Sequence, residues 1–192
     1  MKKDSLDELE EKITLLDKET KVYLKKITEL VYKQQHKSND LLISYFTYSL
    51  NINHTIGEES LCIGSYNIIN LGSSTISSPY ICIKLPAGSP FNLSGKILNK
   101  NSSNNINVPD AWKRINEQSD KEEFWLQPMN KKGIEPSGVL SFKNFQIRWT
   151  PEQSYKGTIM GFTYSENNRE GKAAINSIDV NGTFRERREE GE

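Results

Sequence analysis

The chain has 192 residues, with 25 lysines and arginines against 25 aspartates and glutamates, and a hydrophobic share of 35%. The balanced charge leaves no global basic excess of the kind that neutralises phosphates, and no apolar run is long enough to cross a bilayer, so neither nucleic-acid binding nor membrane insertion is expected. The low apolar share suits one ordinary domain joined to a long solvated element.

The opening "MKKDSLDELEEK" starts on lysines but continues as an acidic amphipathic segment with no apolar core. A secretory signal is therefore not expected, and the expected location is the cytoplasm, or a particle or surface layer assembled from it. Ser5 and Glu8 have the spacing of a capping box, in which a hydroxyl and a carboxylate satisfy free backbone N–H groups reciprocally. Acidic residues crowd the start of the segment and lysines its end, as the helix dipole favours. No Gly or Pro interrupts it before Ser38. A helix from Asp4 to Lys37 would be roughly 50 Å long.

Within that helix Leu6, Ile13, Thr20, Ile27 and Gln34 fall at heptad position a, and Leu9, Leu16, Tyr23, Leu30 and Lys37 at d. Such a seam predicts a coiled coil, with Leu6, Leu9, Ile13, Leu16, Thr20, Tyr23, Ile27 and Leu30 as the oligomerisation residues. Ile at a with Leu at d favours two parallel strands, whereas Leu24 and Val31 at e widen the face and suit three. Lys12 and Asp17 form the one good parallel g-to-e′ ion pair, while the acid-to-base gradient favours an antiparallel partner. A dimer and a trimer both remain open. Thr20 places a hydroxyl in the seam that its own helix can satisfy at the carbonyl one turn back.

After "HKSND" the apolar period changes to two. "LLISYFTYSLNI", "SLCIGSYNIINL", "YICIKL", "FNLSGKIL", "EEFWLQP", "GVLSFKNFQIRW", "YKGTIMGFTYS" and "KAAINSIDVNGTF" read as about eight strands, bounded by Gly, Pro, Asn and Ser clusters. Gly95 marks a bulge or a close approach inside its strand. The asparagine-rich stretch from Asn99 to Asn107 reads as an exposed loop, and "PDAWKRINE" as one helical turn capped by Asp110. The organisation predicted is a coiled-coil helix over 1–38, a β-domain over 39–184 and a charged tail over 185–192. The fold class is mainly β, an antiparallel sandwich behind a long N-terminal helix.

Two stretches carry a resemblance. "YNIINLGSSTISSPYICIKLP" resembles the strand, Asn-x-Gly turn and strand-Leu-Pro run of bacterial immunoglobulin-like domains. "IEPSGVLSFKNFQIRW" is similar to the Pro-x-Gly turn and following strand of such domains. The resemblance implies an immunoglobulin-like sandwich and a role in adhesion, spacing or assembly. It implies no ligand.

No residue cluster predicts catalysis. There is no GxSxG, P-loop or dinucleotide fingerprint, and the two histidines lack zinc-ligand spacing. His36 suits a helix end and His54 a turn. The carboxylates of "DKEE", Asp120 to Glu123, read as a solvated loop, because the glycine and alternating oxygens of a calcium loop are missing. Cys62 and Cys82 both sit in strands and read as buried free thiols. The four Asn-x-Ser/Thr sites, at Asn53, Asn92, Asn101 and Asn181, matter only on a secretory route. Among the aromatics, Trp149 shares a face with Phe145 and Ile147 and belongs to the core. Trp112 and Trp125 are the candidates for an exposed ligand surface that stacks on sugars.

The expectation is a non-enzymatic homo-oligomer with a structural or adaptor role, needing no cofactor and no metal. Its partners would be copies of itself and a protein or glycan surface. A carbohydrate-binding module using Trp112 and Trp125 is the alternative.

Overall fold

The computed structural model describes residues 12–29, 41–98, 108–130 and 132–183. The chain divides into two units, Met1–Asn39 and Asp40–Glu192. Leu6, Leu9, Leu30, the Ser5–Glu8 pair, His36, the loop at 99–107 and the tail at 185–192 lie outside the described residues.

In the first unit, residues 12–29 form one continuous helix, α1. Two threonines and one ion pair are accommodated locally. The Thr20 hydroxyl donates to the Leu16 carbonyl at 2.7 Å and the Thr28 hydroxyl to Leu24 at 2.8 Å. Lys21 pairs with Asp17 one turn away at 2.7 Å, so Asp17 already has an intrahelical partner. In the single chain Ile13, Leu16, Tyr23 and Ile27 are between 55 and 65% exposed.

The second unit contains thirteen strands among the described residues: β1 (Leu42–Asn51), β2 (Ser60–Asn70), β3 (Ile76–Ser77), β4 (Tyr80–Lys84), β5 (Asn92–Ser94), β6 (Ile97–Leu98), β7 (Trp112–Arg114), β8 (Glu123–Pro128), β9 (Gly133–Ile134), β10 (Val139–Trp149), β11 (Tyr155–Tyr164), β12 (Lys172–Ala173) and β13 (Ile178–Gly182). The eight expected runs are all present as strands. The added ones are short: β3 and β9 form a separate two-stranded ribbon, and Gly95 separates β5 from β6. A Cβ on Gly95 would stand 2.8 Å from the Phe142 ring, which confirms the close approach.

One sheet has the order β1-β2-β10-β5, and the other β12-β11-β4-β8-β7-β6, with β13 also on β11. Every pairing is antiparallel except β6 with β7. Alternate residues of both sheets meet in one core. Phe46 and Phe145 stand edge-on at 6.0 Å in the first sheet, and Phe46 meets Tyr66 at 4.9 Å. Gly161 of the second sheet makes room for them, because a Cβ there would lie 2.2 Å from the Tyr66 ring.

The segment "PDAWKRINE" is not helical. Asp110 adopts a left-handed φ of 58°, and Trp112–Arg114 then pairs with β8, Trp112 opposite Pro128 and Arg114 opposite Leu126. Trp112 and Arg114 point inward and Lys113 outward, a period-two pattern too short to read beside the polar residues that flank it.

Two polar arrangements fix the sandwich. Tyr66, fully buried, bonds through its hydroxyl to Ser44 and Thr163, both at 2.9 Å, and so ties β1 and β2 to β11. Tyr66→Phe would leave two buried hydroxyls without that partner. It is expected to cost about 1–3 kcal/mol in urea unfolding. Adding Ser44→Ala and Thr163→Val should recover part of the loss, and a single variant as stable as the parent would contradict the role. The second arrangement centres on buried Asn70, whose amide donates to the Ser74 and Ile134 carbonyls and accepts the Gly72 N–H. Its backbone exchanges bonds with Gly138 and Ser137. The Asn-x-Gly and Pro-x-Gly turns, which carry the sequence resemblance, thus meet at one residue.

The free edge of β1 is partly closed by the chain itself. The Asn176 side-chain amide accepts the Phe46 N–H at 2.8 Å and donates to the Phe46 carbonyl at 3.0 Å, as a neighbouring strand would. Ile175 N–H adds a bond to the Ser44 carbonyl, and Lys172 one to Leu42.

Candidate functional site

The sequence singles out two places, the apolar seam of α1 and the tryptophans. On α1 the described seam residues Ile13, Leu16, Thr20, Tyr23 and Ile27 recur at heptad spacing, and the one polar member, Thr20, is satisfied within its own helix.

The tryptophans separate. Trp112 is 1% exposed and meets the Phe142 ring edge-on at 5.6 Å. It is a core residue and is corrected out of the candidate ligand surface. The inward parity of β7 puts it there. Trp149 is buried, as expected. Trp125 is half-buried on the outer face of β8, because Phe124 and Leu126 take the core face.

Strand pairing sets the surroundings of Trp125. It lies opposite Cys82 of β4, while Tyr80 lies opposite Tyr164 of β11. Tyr80 and Tyr164 stack at 5.0 Å with 9° between their planes. Trp125 leans against Tyr164 at 5.0 Å and 40°, and against Tyr80 at 6.2 Å and 35°. The indole N–H donates to Glu123 at 2.9 Å, and the other Glu123 oxygen accepts from Lys84 at 2.8 Å. The Lys84 bond, followed by the Trp125 bond, holds the Glu123 carboxyl below the usual range, and the same contact raises Lys84. The three rings therefore form a self-packed aromatic group, pinned by an ion pair, with Tyr80 and Tyr164 using one face each on the other.

Cys82 lies on this same outer face yet is only 3% exposed, and Cys62 is fully buried in the first sheet. Both are free thiols. Burial pushes Cys62 up to about 11 and Cys82 up to about 12. Both should react with a thiol reagent at neutral pH at least about a hundredfold more slowly than a free cysteine. Rapid labelling of either in the native protein would contradict the burial.

Two of the carboxylates of 120–123, Asp120 and Glu123, have structural partners. Asp120 accepts the N–H groups of Glu123 at 3.0 Å and Glu122 at 2.9 Å, and these bonds hold its carboxyl below the ordinary range. His54 is exposed, just before the turn at 55–57. Among the described residues no group of three or more His, Cys, Asp or Glu could hold a metal, and no helix is long and apolar enough to cross a membrane.

One residue escapes the sequence reading altogether. Arg114 is 6% exposed, and its guanidinium lies 4.3 Å above the Phe124 ring. Burial pulls it below its ordinary value. The only sequence signal is the alternation of Trp112, Lys113 and Arg114.

No protein-family model matches the chain, and no curated protein matches it in sequence. Solved structures do. A cohesin module of a family 33 glycoside hydrolase from Clostridium perfringens matches with TM-score 0.40 and 11% identity, over 74% of this chain and 98% of that one. A Nocardia farcinica protein with an immunoglobulin-like fold matches with TM-score 0.34 and 10% identity, over 73% and 99%. A human PapD-like domain matches with TM-score 0.31 and 10% identity, over 76% and 85%. All three TM-scores lie below 0.5, and the architecture stands on its own strand order and register.

Proposed function

We propose that the chain is a non-enzymatic homo-oligomer with a structural or adaptor role, in which α1 forms a coiled coil and each β-domain presents a binding or assembly surface. The observation that carries this reading is the α1 seam: Ile13, Leu16, Tyr23 and Ile27 recur at heptad spacing and are exposed in the single chain. Burying such a stripe against copies of itself gains about 25 cal/mol per Å² of apolar surface removed from water. Clustering several β-domains raises weak individual contacts to useful avidity. The setting proposed is the cytoplasm, or a particle or surface layer built from it, of bacterial or phage type.

The test is mass in solution for the whole chain and for one starting at Asn39. The whole chain should be a dimer or trimer and the shortened chain a folded monomer. Equal masses would overturn the reading. A second reading, a glycan-binding module, is supported by half-buried Trp125 and its tyrosine neighbours.

A further inference from the structure

Arg114 is a nearly buried cation of the β-domain, 6% exposed, whose hydrogen bonds go to an amide and two carbonyls. Its Nε donates to Asn116 at 3.0 Å. Its Nη2 is used twice, on the Glu123 carbonyl at 3.0 Å and on the Asp120 carbonyl. Its Nη1 has no hydrogen-bond partner among the described residues, and no carboxylate forms an ion pair with it. Both nearby carboxylates are engaged elsewhere: Asp120 by two backbone N–H groups and Asn116, Glu123 by Lys84 and Trp125. Nη1 is not among the buried side-chain atoms left without a partner, so it is open to solvent and to what solvent carries.

Arg114 forms part of the wall of a cleft of about 410 Å³, between β5, the edge strand of the first sheet, and the β7–β8 turn of the second. The other polar groups on that wall are Ser89, Asn92, Gln118, Asp120 and Lys121. Three features define what the cleft can take. The hydrogens of the Nη1 nitrogen diverge, so it gives a given oxygen one hydrogen bond, not the two-nitrogen fork that grips phosphate or both oxygens of a carboxylate. The Asp120 charge disfavours a dianion. Ser89, Asn92 and Gln118 both donate and accept, which suits hydroxyl groups. Phe91, Leu93 and Phe124 are 5–6% exposed and are spent on the core, so the cleft lacks the apolar pockets that anchor the side chains of a peptide.

We propose that this cleft binds a sugar acid of the uronate type, a monocarboxylate with neighbouring hydroxyls, with one carboxylate oxygen on Arg114 Nη1, the Lys121 ammonium as second cation, and the hydroxyls on Ser89, Asn92 and Gln118. The site is separate from the α1 seam and from the Trp125 face, and it stands whether or not the chain oligomerises.

The test is a titration of the whole chain, labelled with ¹⁵N, with sodium glucuronate at constant ionic strength, read on the Arg114 Nε–H resonance. Glucose serves as the neutral control and triglutamate as the acidic peptide. Glucuronate should shift the signal saturably, and glucose should leave it unmoved. Lys121→Gln, at an exposed position, should weaken the apparent Kd about twofold to fivefold while leaving the spectrum folded. Arg114→Gln should abolish binding, and the Lys121 variant keeps the test decisive should that change unfold the domain. The proposal is overturned if glucuronate produces no saturable shift, if glucose matches it, if Lys121→Gln binds like the parent, or if triglutamate binds and glucuronate does not.

Discussion

Ile13→Asp combined with Ile27→Asp is expected to convert the assembled protein into a folded monomer. Both positions lie in the α1 seam, and each aspartate would place a carboxylate between helices with no cation to meet it. An uncompensated buried charge costs several kcal/mol, enough twice over to undo an assembly held by a few heptads. The β-domain has its own core, built on Tyr66, Phe145, Ile147 and Trp149, so its fold should persist. Sedimentation or light scattering would follow the mass, and circular dichroism the strands. A parent chain that is monomeric at high micromolar concentration would end the idea. So would loss of β-structure in the variant. Thr20→Ile removes a hydroxyl already satisfied at Leu16, and so it should tighten the assembly or change its size.

The second large effect is expected from Trp112→Ala. A side chain buried to 99% leaves a cavity beside Phe142 that strand pairing on both sides of β7 prevents from closing, and the cost should be about 3–5 kcal/mol in urea unfolding. Trp125→Ala should cost clearly less, because that side chain is only partly buried. If the glycan reading holds, Trp125→Ala also abolishes retention on a polysaccharide that the parent binds. Trp112→Ala with near-parental stability would remove Trp112 from the core. A stable Trp125→Ala variant that retains every glycan the parent binds would end the glycan reading.

The long strands were legible because their side chains alternate over many residues. Phe145, Ile147 and Trp149 announce the buried face of β10, and Phe124 and Leu126 that of β8. Asn70-Leu71-Gly72 and Pro136-Ser137-Gly138 were legible as turns because each needs particular backbone chemistry, and Ser137 indeed adopts a left-handed φ of 60°. The short strands were not. Two or three residues such as Ile76–Ser77 or Trp112–Arg114 cannot display a period, and their pairing depends on partners distant in the chain. The placement of Trp112 failed for that reason. Arg114 was invisible because its burial arises from Phe124 and from carbonyls that sequence does not place. The α1 seam was legible as spacing alone. Spacing shows that a face is apolar and not which surface covers it.

The Asn176 amide that closes the edge of β1 lies 130 residues after Phe46 in the chain. At the usual pace of translation that is roughly ten seconds of elongation. During this interval every growing polypeptide carries β1 with its edge groups unsealed, while the seam of α1 has already left the ribosome. If α1 self-associates as proposed, neighbouring chains on one message would be joined by their helices while their first strands still lack the plug. On the proposed reading of α1, the order of synthesis would favour subunit pairing before domain closure. Chains that stop short of Lys172 would keep an adhesive strand for good.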